Sequence, residues 1–447
     1  MFSKVLIANR GVAATRIAAS LRRMGVPHAT VHSEADVDLP HARGTESVCI
    51  GKGPARESYL RIEALLDAAR RVGADAVHPG YGFLAEDHDF AGAVQAAGMI
   101  FIGPAAEHIE AMGDKVNARA RIASTGVSLL PASGPLIDGE PVEPHVERIG
   151  LPLLVKASAG GGGIGMQRVH DASALAAAVQ KARQISARAF GDGTIYLERY
   201  LEQPRHVEFQ MLGDGHGRVQ ALFERDCSVQ RRHQKVIEES PAPGVAVGVC
   251  AAMGEQLAAI LGSWKYASLG TVEMLMDRAG AFYFLEMNTR LQVEHGVTEA
   301  ITGLDLVELQ VRIAAGAALS DFGLTTPQAR GHAIEVRVYA EDSVRFLPSP
   351  GRLAVFQPPA GPEVRVDTGY MEGNTVTPFY DPMLALVIVH GRDRAEAIAR
   401  MDTALADFSV SGVSTNIPFL RRMLASEDFR EIRHHTTLAE EFARRVA

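Results

Sequence analysis

Over residues 282–298 the chain reads FYFLEMNTRLQVEHGVT, and its pattern changes part-way along. Phe282, Tyr283, Phe284 and Leu285 open a strand, after which every second residue is polar: Glu286, Asn288, Arg290, Gln292 and Glu294. Extended backbone puts those five on one face and Met287, Thr289, Leu291 and Val293 on the other, toward a core. Residues 271–276, TVEMLM, predict a partner strand, and Asp277-Arg278-Ala279-Gly280 a turn. A hairpin with Ala279 and Gly280 at its tip sets Glu273 directly opposite Glu286. Two carboxylates about 5 Å apart repel by roughly 3 kcal/mol at an effective dielectric near 20. A divalent cation between them reverses the sign, and two carboxylates with the Asn288 amide form a hard oxygen set suited to magnesium. Alternation alone describes a half-exposed strand; the opposed glutamates, followed by Asn, Arg, Gln and Glu on one face, point to a site.

Elsewhere the pattern divides the chain. A buried-type strand at 4–8, a turn at Asn9-Arg10-Gly11, an apolar-periodic helix at 13–24 and a strand at 28–32 form a βαβ opening, which predicts a parallel sheet. The turn has one glycine and lacks the dinucleotide fingerprint. Residues 76–86, AVHPGYGFLAE, make a glycine-containing loop after a strand. The Pro-, Gly- and Asp-rich stretch 131–144 marks a domain boundary. Strands at 151–156 and 166–169 then flank a glycine-rich tip at 159–165. Because a strand rather than a helix follows Gly165, both the Rossmann and P-loop readings fail. The tip suits a flap whose backbone N–H groups approach phosphate oxygens. A strand at 194–200 leaves the flap, and residues 331–342 alternate Ile334, Val336 and Val338 against Glu335, Arg337 and Tyr339. Residues 295–316 read as one helix.

The net charge of −8 argues against a nucleic-acid binder. Three widely spaced cysteines form no metal or redox motif, and no apolar run reaches the roughly 20 residues of a membrane span. The chain enters a strand at once, without a leader, so a cytoplasmic protein is expected. Only seven of the 45 basic residues are lysines, and three of them, Lys115, Lys156 and Lys235, fall within motifs, which implies that those positions need an ammonium group.

EMNTRLQVEH with an upstream glutamate resembles the metal and bicarbonate strand of the biotin carboxylases, members of the ATP-grasp superfamily. The resemblance runs over nearly the whole chain. It implies a mixed α/β and α+β architecture, an ATP-grasp fold with three parts: an N-terminal Rossmann-like parallel-sheet domain (1–130), a glycine-rich flap or lid domain (131–203), and an ATP-grasp core with a C-terminal antiparallel-sheet domain (204–447). By the same resemblance Lys115, Lys156, Gly162, Gly163, Met166, Glu198, Leu201, His206, Gln230, His233 and Leu275 bind ATP. Glu273, Glu286 and Asn288 hold magnesium or manganese, while Lys235, Arg290, Gln292 and Val293 hold bicarbonate. Glu294 is the general base, Arg337 stabilises the biotin enolate, and Tyr81 and Gly82 border biotin.

The implied reaction is ATP-dependent carboxylation of biotin through carboxyphosphate, the first half-reaction of an acetyl-CoA or acyl-CoA carboxylase. No methionine adjoins a lysine as in a biotin attachment site, so biotin is expected on a separate carrier protein, with a carboxyltransferase as a further partner and a homodimer as the assembly. Four positions depart from the family pattern: Val12 for glutamate, Ile164 for arginine, Gly296 for proline and Leu386 for lysine. Two rival readings are another ATP-grasp ligase, joining a carboxylate to an amine, and a non-catalytic nucleotide-binding relative.

Overall fold

Five short strands, Val5–Ile7 (β1), His28–His32 (β2), Glu46–Cys49 (β3), Ala76–His78 (β4) and Ile100–Phe101 (β5), form a parallel sheet in the order β3-β2-β1-β4-β5. This is a computed structural model, and it describes residues 1–44, 46–137, 139–158, 165–324 and 328–446. β1 is apolar throughout because both its faces are covered, as parallel sheets require. The helix Gly11–Arg23 buries Ala14, Ile17 and Leu21 in a cluster with Val5 and Ile7, and the same cluster contains Leu306, Val307 and Val311 of the helix Leu306–Ala314. That shared core seats the N-terminal sheet on the rest of the molecule.

Leu153–Ala157 (β6), Gln167–Val169 (β7) and Ile195–Arg199 (β8) make a small antiparallel sheet in the order β7-β6-β8, with the helix Leu175–Phe190 on one face. Of the glycine-rich stretch between β6 and β7, positions 159–164 lie outside the described residues.

An eight-stranded sheet carries the chemistry. Its strands are Arg205–Asp214 (β9), Val219–Arg231 (β10), Gln234–Ser240 (β11), Ala267–Met276 (β12), Phe282–Asn288 (β13), His332–Tyr339 (β14), Val364–Thr368 and Met383–Gly391. They run in the order β13-β12-β9-β10-β11-β14, followed by Met383–Gly391 and then Val364–Thr368 at the edge. On β9, Val207, Phe209 and Met211 enter an apolar core, which leaves His206, Glu208 and Gln210 on the opposite face. On β14, Ile334, Val336 and Val338 do the same, leaving Glu335, Arg337 and Tyr339 opposite. The alternation predicted for β14 is therefore present, but its polar face is buried.

Two predicted features differ in detail. Glu273 does face Glu286, but a register shift separates that pair from the turn, where Met276 pairs with Phe282. The turn spans Asp277 to Ala281, closed by Asp277 N donating to Ala281 O at 3.0 Å, with Gly280 at φ +84°. Leu285 is the extra residue of a bulge that restores the predicted pairing. β13 ends at Asn288, so the extended face expected through Glu294 continues as a turn into the helix His295–Thr302. The single helix expected over 295–316 is two. Gly303 takes φ +73° after the first, and the Asp305 side chain caps the second by accepting from Glu308 N. Among the described residues, no helix is long and apolar enough to cross a membrane.

Candidate active site

β9, β12 and β13 lie side by side, so Glu208, Glu273 and Glu286 form a row across three strands. Left alone the row would be strongly repulsive. Lys235, reaching over from β11, answers it: its ammonium donates to Glu208 Oε2 at 2.5 Å, Glu273 Oε1 at 2.7 Å and Glu294 Oε1 at 2.6 Å. Burial disfavours that ammonium, but Glu208, Glu273 and Glu294 together hold it well above the usual lysine range. The His206 ring lies 3.0 Å from Glu273 Oε2. Burial opposes its charge, the Glu273 carboxylate outweighs this, and its pKa rises to about 9.

Glu294 joins this row to the arginines. Its Oε2 accepts from Arg337 Nη2 at 2.9 Å, and Arg337 Nε donates to Glu238 Oε1 at 2.6 Å. Burial and then Glu208 push the Glu294 carboxyl up, but Lys235 and Arg337 prevail and keep it below the ordinary glutamate range, hence ionised and able to accept a proton. Arg290 Nε donates to Glu86 Oε2 at 2.7 Å and Nη2 to Asn288 Oδ1 at 2.6 Å, while Nη1 binds Gln292 Oε1. Asn288 and Gln292 in turn donate to Glu273 Oε1 at 2.8 and 2.9 Å.

At the other end of the cavity Lys156 Nζ lies 2.8 Å from Glu198 Oε2, and Arg119 holds the second oxygen of that carboxylate at 2.5 Å. The Glu198 side chain thus anchors a lysine, which leaves its backbone for any contact with a base. Lys115 Nζ is 3.1 Å from Glu286 Oε2. Lys115 opens the helix Lys115–Ala123, whose cap Asp114 also accepts from Ser158 Oγ at 2.7 Å, tying this lysine to the small sheet. Met166, Leu201 and Leu275 supply apolar walls, with Gln230 and His233 nearby. The bulge at Leu285 turns that side chain into the same cavity beside Glu286.

Every predicted site residue that the structure describes lines one of two adjoining cavities. The first, about 370 Å³, holds the nucleotide, metal and bicarbonate candidates. The second, about 500 Å³, contains Tyr81 and Gly82 with Asn9, Arg10 and Val12. Arg290, Val293, Arg337, Tyr339 and Asp381 line both. Gly162 and Gly163 fall outside the described residues.

The structure adds residues that the sequence reading missed. Glu208 lies at the centre of the row, and its signal was the alternation of His206, Glu208 and Gln210 in HVEFQ. Arg225, fully buried, donates Nε to Glu208 Oε1 at 2.7 Å. Glu86, at the end of the AVHPGYGFLAE loop, holds Arg290 and accepts from Thr289 N at 2.9 Å.

The donor set also distinguishes two candidate metal sites. His206, Glu208 and Glu273 have ligand atoms within 4.8 Å of one another, but His206 Nδ1 is taken by Gln230 Nε2 at 3.0 Å and Glu208 is held by Arg225 and Lys235. Glu273, Glu286 and Asn288 offer oxygen alone, from adjacent strands and facing the cavity, which fits magnesium.

Comparison with known proteins agrees with this geometry. Residues 1–109 match the family model described as biotin carboxylase, N-terminal domain; 114–322 match carbamoyl-phosphate synthase L chain, ATP binding domain; and 335–441 match biotin carboxylase C-terminal domain. Biotin carboxylase 2 of Bacillus subtilis is 48% identical over 433 residues, 96% of this chain and 97% of that one. The chain belongs to the biotin carboxylase family. Among solved structures, the biotin carboxylase of Campylobacter jejuni superimposes with a TM-score of 0.95 at 40% identity, covering 98% of both chains. The biotin carboxylase domain dimer of Hydrogenobacter thermophilus 2-oxoglutarate carboxylase, solved with MgADP, ADP and bicarbonate, gives 0.94 at 39% identity, over 99% of this chain and 98% of that one.

Within the biotin carboxylase frame, three of the four departures lie together. Val12 and Leu386 pack with Ile388 in one apolar cluster, and Gly296 approaches Ile388 closely. Ile164 is outside the described residues.

Proposed function

We infer that this chain carboxylates biotin with bicarbonate at the expense of ATP, and that the residues described above carry the reaction. The single observation that weighs most is the continuity of the two cavities through Arg290, Val293, Arg337 and Tyr339, because carbon activated in the first must reach a nitrogen nucleophile in the second. Bicarbonate is a poor electrophile and needs a leaving group. Glu294 takes its proton, and a bicarbonate oxygen attacks the γ-phosphorus as the bond to the bridging oxygen of ADP breaks, forming carboxyphosphate. Lys115, Lys156 and Lys235 neutralise phosphate oxygens, and Arg290 presents a planar fork to bicarbonate, with Gln292 and the Val293 backbone beside it. Glu273, Glu286 and Asn288 would hold a magnesium or manganese ion, which would add charge neutralisation at the phosphates.

Carboxyphosphate then splits into carbon dioxide and phosphate. The phosphate takes the ureido proton of biotin, and the nitrogen bonds to carbon dioxide while Arg337 stabilises the enolate oxygen. Tyr81 and Gly82 border the biotin. The rim residues Leu201, Leu275, Met166, Gln230 and His233, the Glu198 backbone and the glycines Gly162 and Gly163 form the nucleotide subsite. Residues 1–130, 131–203 and 204–447 serve as N-terminal domain, lid and core. Biotin arrives on a carrier protein and the carboxyl group leaves with a carboxyltransferase, as in an acetyl-CoA or acyl-CoA carboxylase. The chain works as a cytoplasmic homodimer.

The deciding experiment is ADP formation by purified protein with magnesium and bicarbonate, with and without biotin, free or on a carrier. Stimulation by biotin is expected; its absence with both forms, with nucleotide still bound, would move the protein to another ATP-grasp ligase. Arg337→Ala should retain ADP affinity within about threefold and lower biotin-dependent turnover by about 100-fold, the scale of a lost oxyanion contact. Steady-state kinetics beside calorimetric ADP titration separates the two, and unchanged turnover removes Arg337 from the mechanism.

A further inference from the structure

Behind Arg337, on the same face of β14, Glu335 is fully buried and neither of its carboxylate oxygens has a hydrogen-bond partner among the described residues. Its Cα partner on β11 is Glu238, also fully buried, whose Oε2 is likewise unpartnered. Among the described residues no cation hydrogen-bonds to Glu335. Val12, Leu386 and Ile388 form an apolar wall, and Gly296 makes room, since a Cβ there would come within 2.7 Å of Glu335 Oε2. The charged groups around it include Glu238 on β11, Arg337 on β14, Glu294 before the helix His295–Thr302, and Asp367 and Arg365 on the edge strand, Arg365 being tied to Glu299 and Asp367; Lys235 acts on Glu238 from its own strand. Tyr81 approaches from the biotin side with its hydroxyl buried and unpartnered. Arg337 is already engaged through Nε with Glu238 and through Nη2 with Glu294.

Two opposed carboxylates with orphan oxygens and one arginine between them cannot both be ionised without a large cost. One proton satisfies both, because the hydroxyl of one acid donates to the free oxygen of the other. We propose that Glu335 and Glu238 hold one proton between them and that this shared proton positions Arg337 for biotin. With the proton in place the pair carries a single negative charge, which Arg337 meets through Nε while Nη2 stays toward Glu294 and the biotin cavity. When the proton is lost, a second carboxylate behind β14 draws the guanidinium inward. Burial, then Glu238, pushes the Glu335 carboxyl well above the glutamate range, and burial with Glu294 raises Glu238 to about 7 although Arg337 opposes it. The pair titrates as a unit. Neither acid touches biotin, so both are positioning residues, and the proposal rests on Arg337 serving biotin as inferred above.

The test compares wild type with Glu335→Gln, whose amide can donate to Glu238 as the shared proton does. Biotin-dependent kcat/KM of the wild type is expected to fall at least tenfold across an alkaline break, at pH values where ADP binding is unchanged. Glu335→Gln should stay within threefold of wild type at neutral pH and lose that break. Infrared spectra of the wild type should contain a protonated carboxyl band that disappears in parallel with the alkaline loss and is missing from the variant. Stability gives the matching sign: a carboxyl raised in the folded state costs nothing below its unfolded pKa, about 4.3, and costs progressively more above it. Glu335→Gln should therefore melt above wild type at pH 9 and level with it at pH 4. Identical pH profiles, or no protonated carboxyl band in the wild type, would overturn the proposal; if the variant does not fold, the wild-type band and its pH dependence decide. Failure of biotin to stimulate wild type at any pH would instead sink the functional reading, and the carboxyl band would still report on the proton.

Discussion

Replacing Glu294 by glutamine should lower biotin- and bicarbonate-dependent ADP formation by about 1,000-fold, within the range for loss of a general base, while ADP affinity changes by less than about threefold. Glutamine keeps the shape and one acceptor oxygen, so Lys235 and Arg337 retain a neighbour, but the amide has no basic oxygen for the bicarbonate proton. The native carboxylate is ready for that proton because Lys235 at 2.6 Å and Arg337 at 2.9 Å hold it ionised against burial and Glu208. ADP formation by stopped assay, set beside calorimetric ADP titration, checks the split. Turnover within tenfold of wild type would assign the base elsewhere.

Lys235→Met should be the most damaging single change to stability in the site. The ammonium is the common partner of Glu208, Glu273 and Glu294, all buried, and its removal leaves three carboxylates facing one another. Arg225 still pairs with Glu208 and His206 with Glu273, so the cluster is not stripped of positive charge. A loss of about 3–5 kcal/mol is expected, the usual cost of breaking a buried pair from one side. Without the lysine the carboxyl pKa values rise, so the folded variant binds more protons than its unfolded chain. Its deficit relative to wild type should shrink as pH falls from 8 to 6. Urea unfolding at both pH values measures this, and a midpoint equal to wild type at pH 8 would refute the hub role. Biotin-dependent turnover should drop at least 100-fold if the same ammonium neutralises phosphate as proposed above.

Much of this site was legible because its signals are local. The polar alternation from Glu286 onward and the turn at Asp277 to Gly280 sufficed to set Glu273 against Glu286. That result survived a turn one residue out of register because the bulge at Leu285 restores the count, and a bulge has no mark in the string FYFLE. The end of β13 at Asn288 was equally invisible: alternation persists through Glu294, but strand continuation depends on a neighbour to pair with, and β12 pairs only as far as Thr271 opposite Asn288.

Glu208 and Glu335 mark a different limit. Each is one polar residue in an alternating strand, and by sequence each belongs on a solvated face. Their burial follows from layers brought together from distant parts of the chain: β9 between β12 and β10, and β14 between β11 and Met383–Gly391, with Val12 and Leu386 packed together near Glu335. The sequence by itself determined several of the strands, among them β12, β13 and β14, with their polar faces, and which motifs carry lysines, glutamates and arginines, because side-chain periodicity and turn chemistry act within a few residues. Only the tertiary structure decided which carboxylates share a cation and which are left to share a proton, because charge in a buried site is settled by distance and desolvation between residues far apart in the chain.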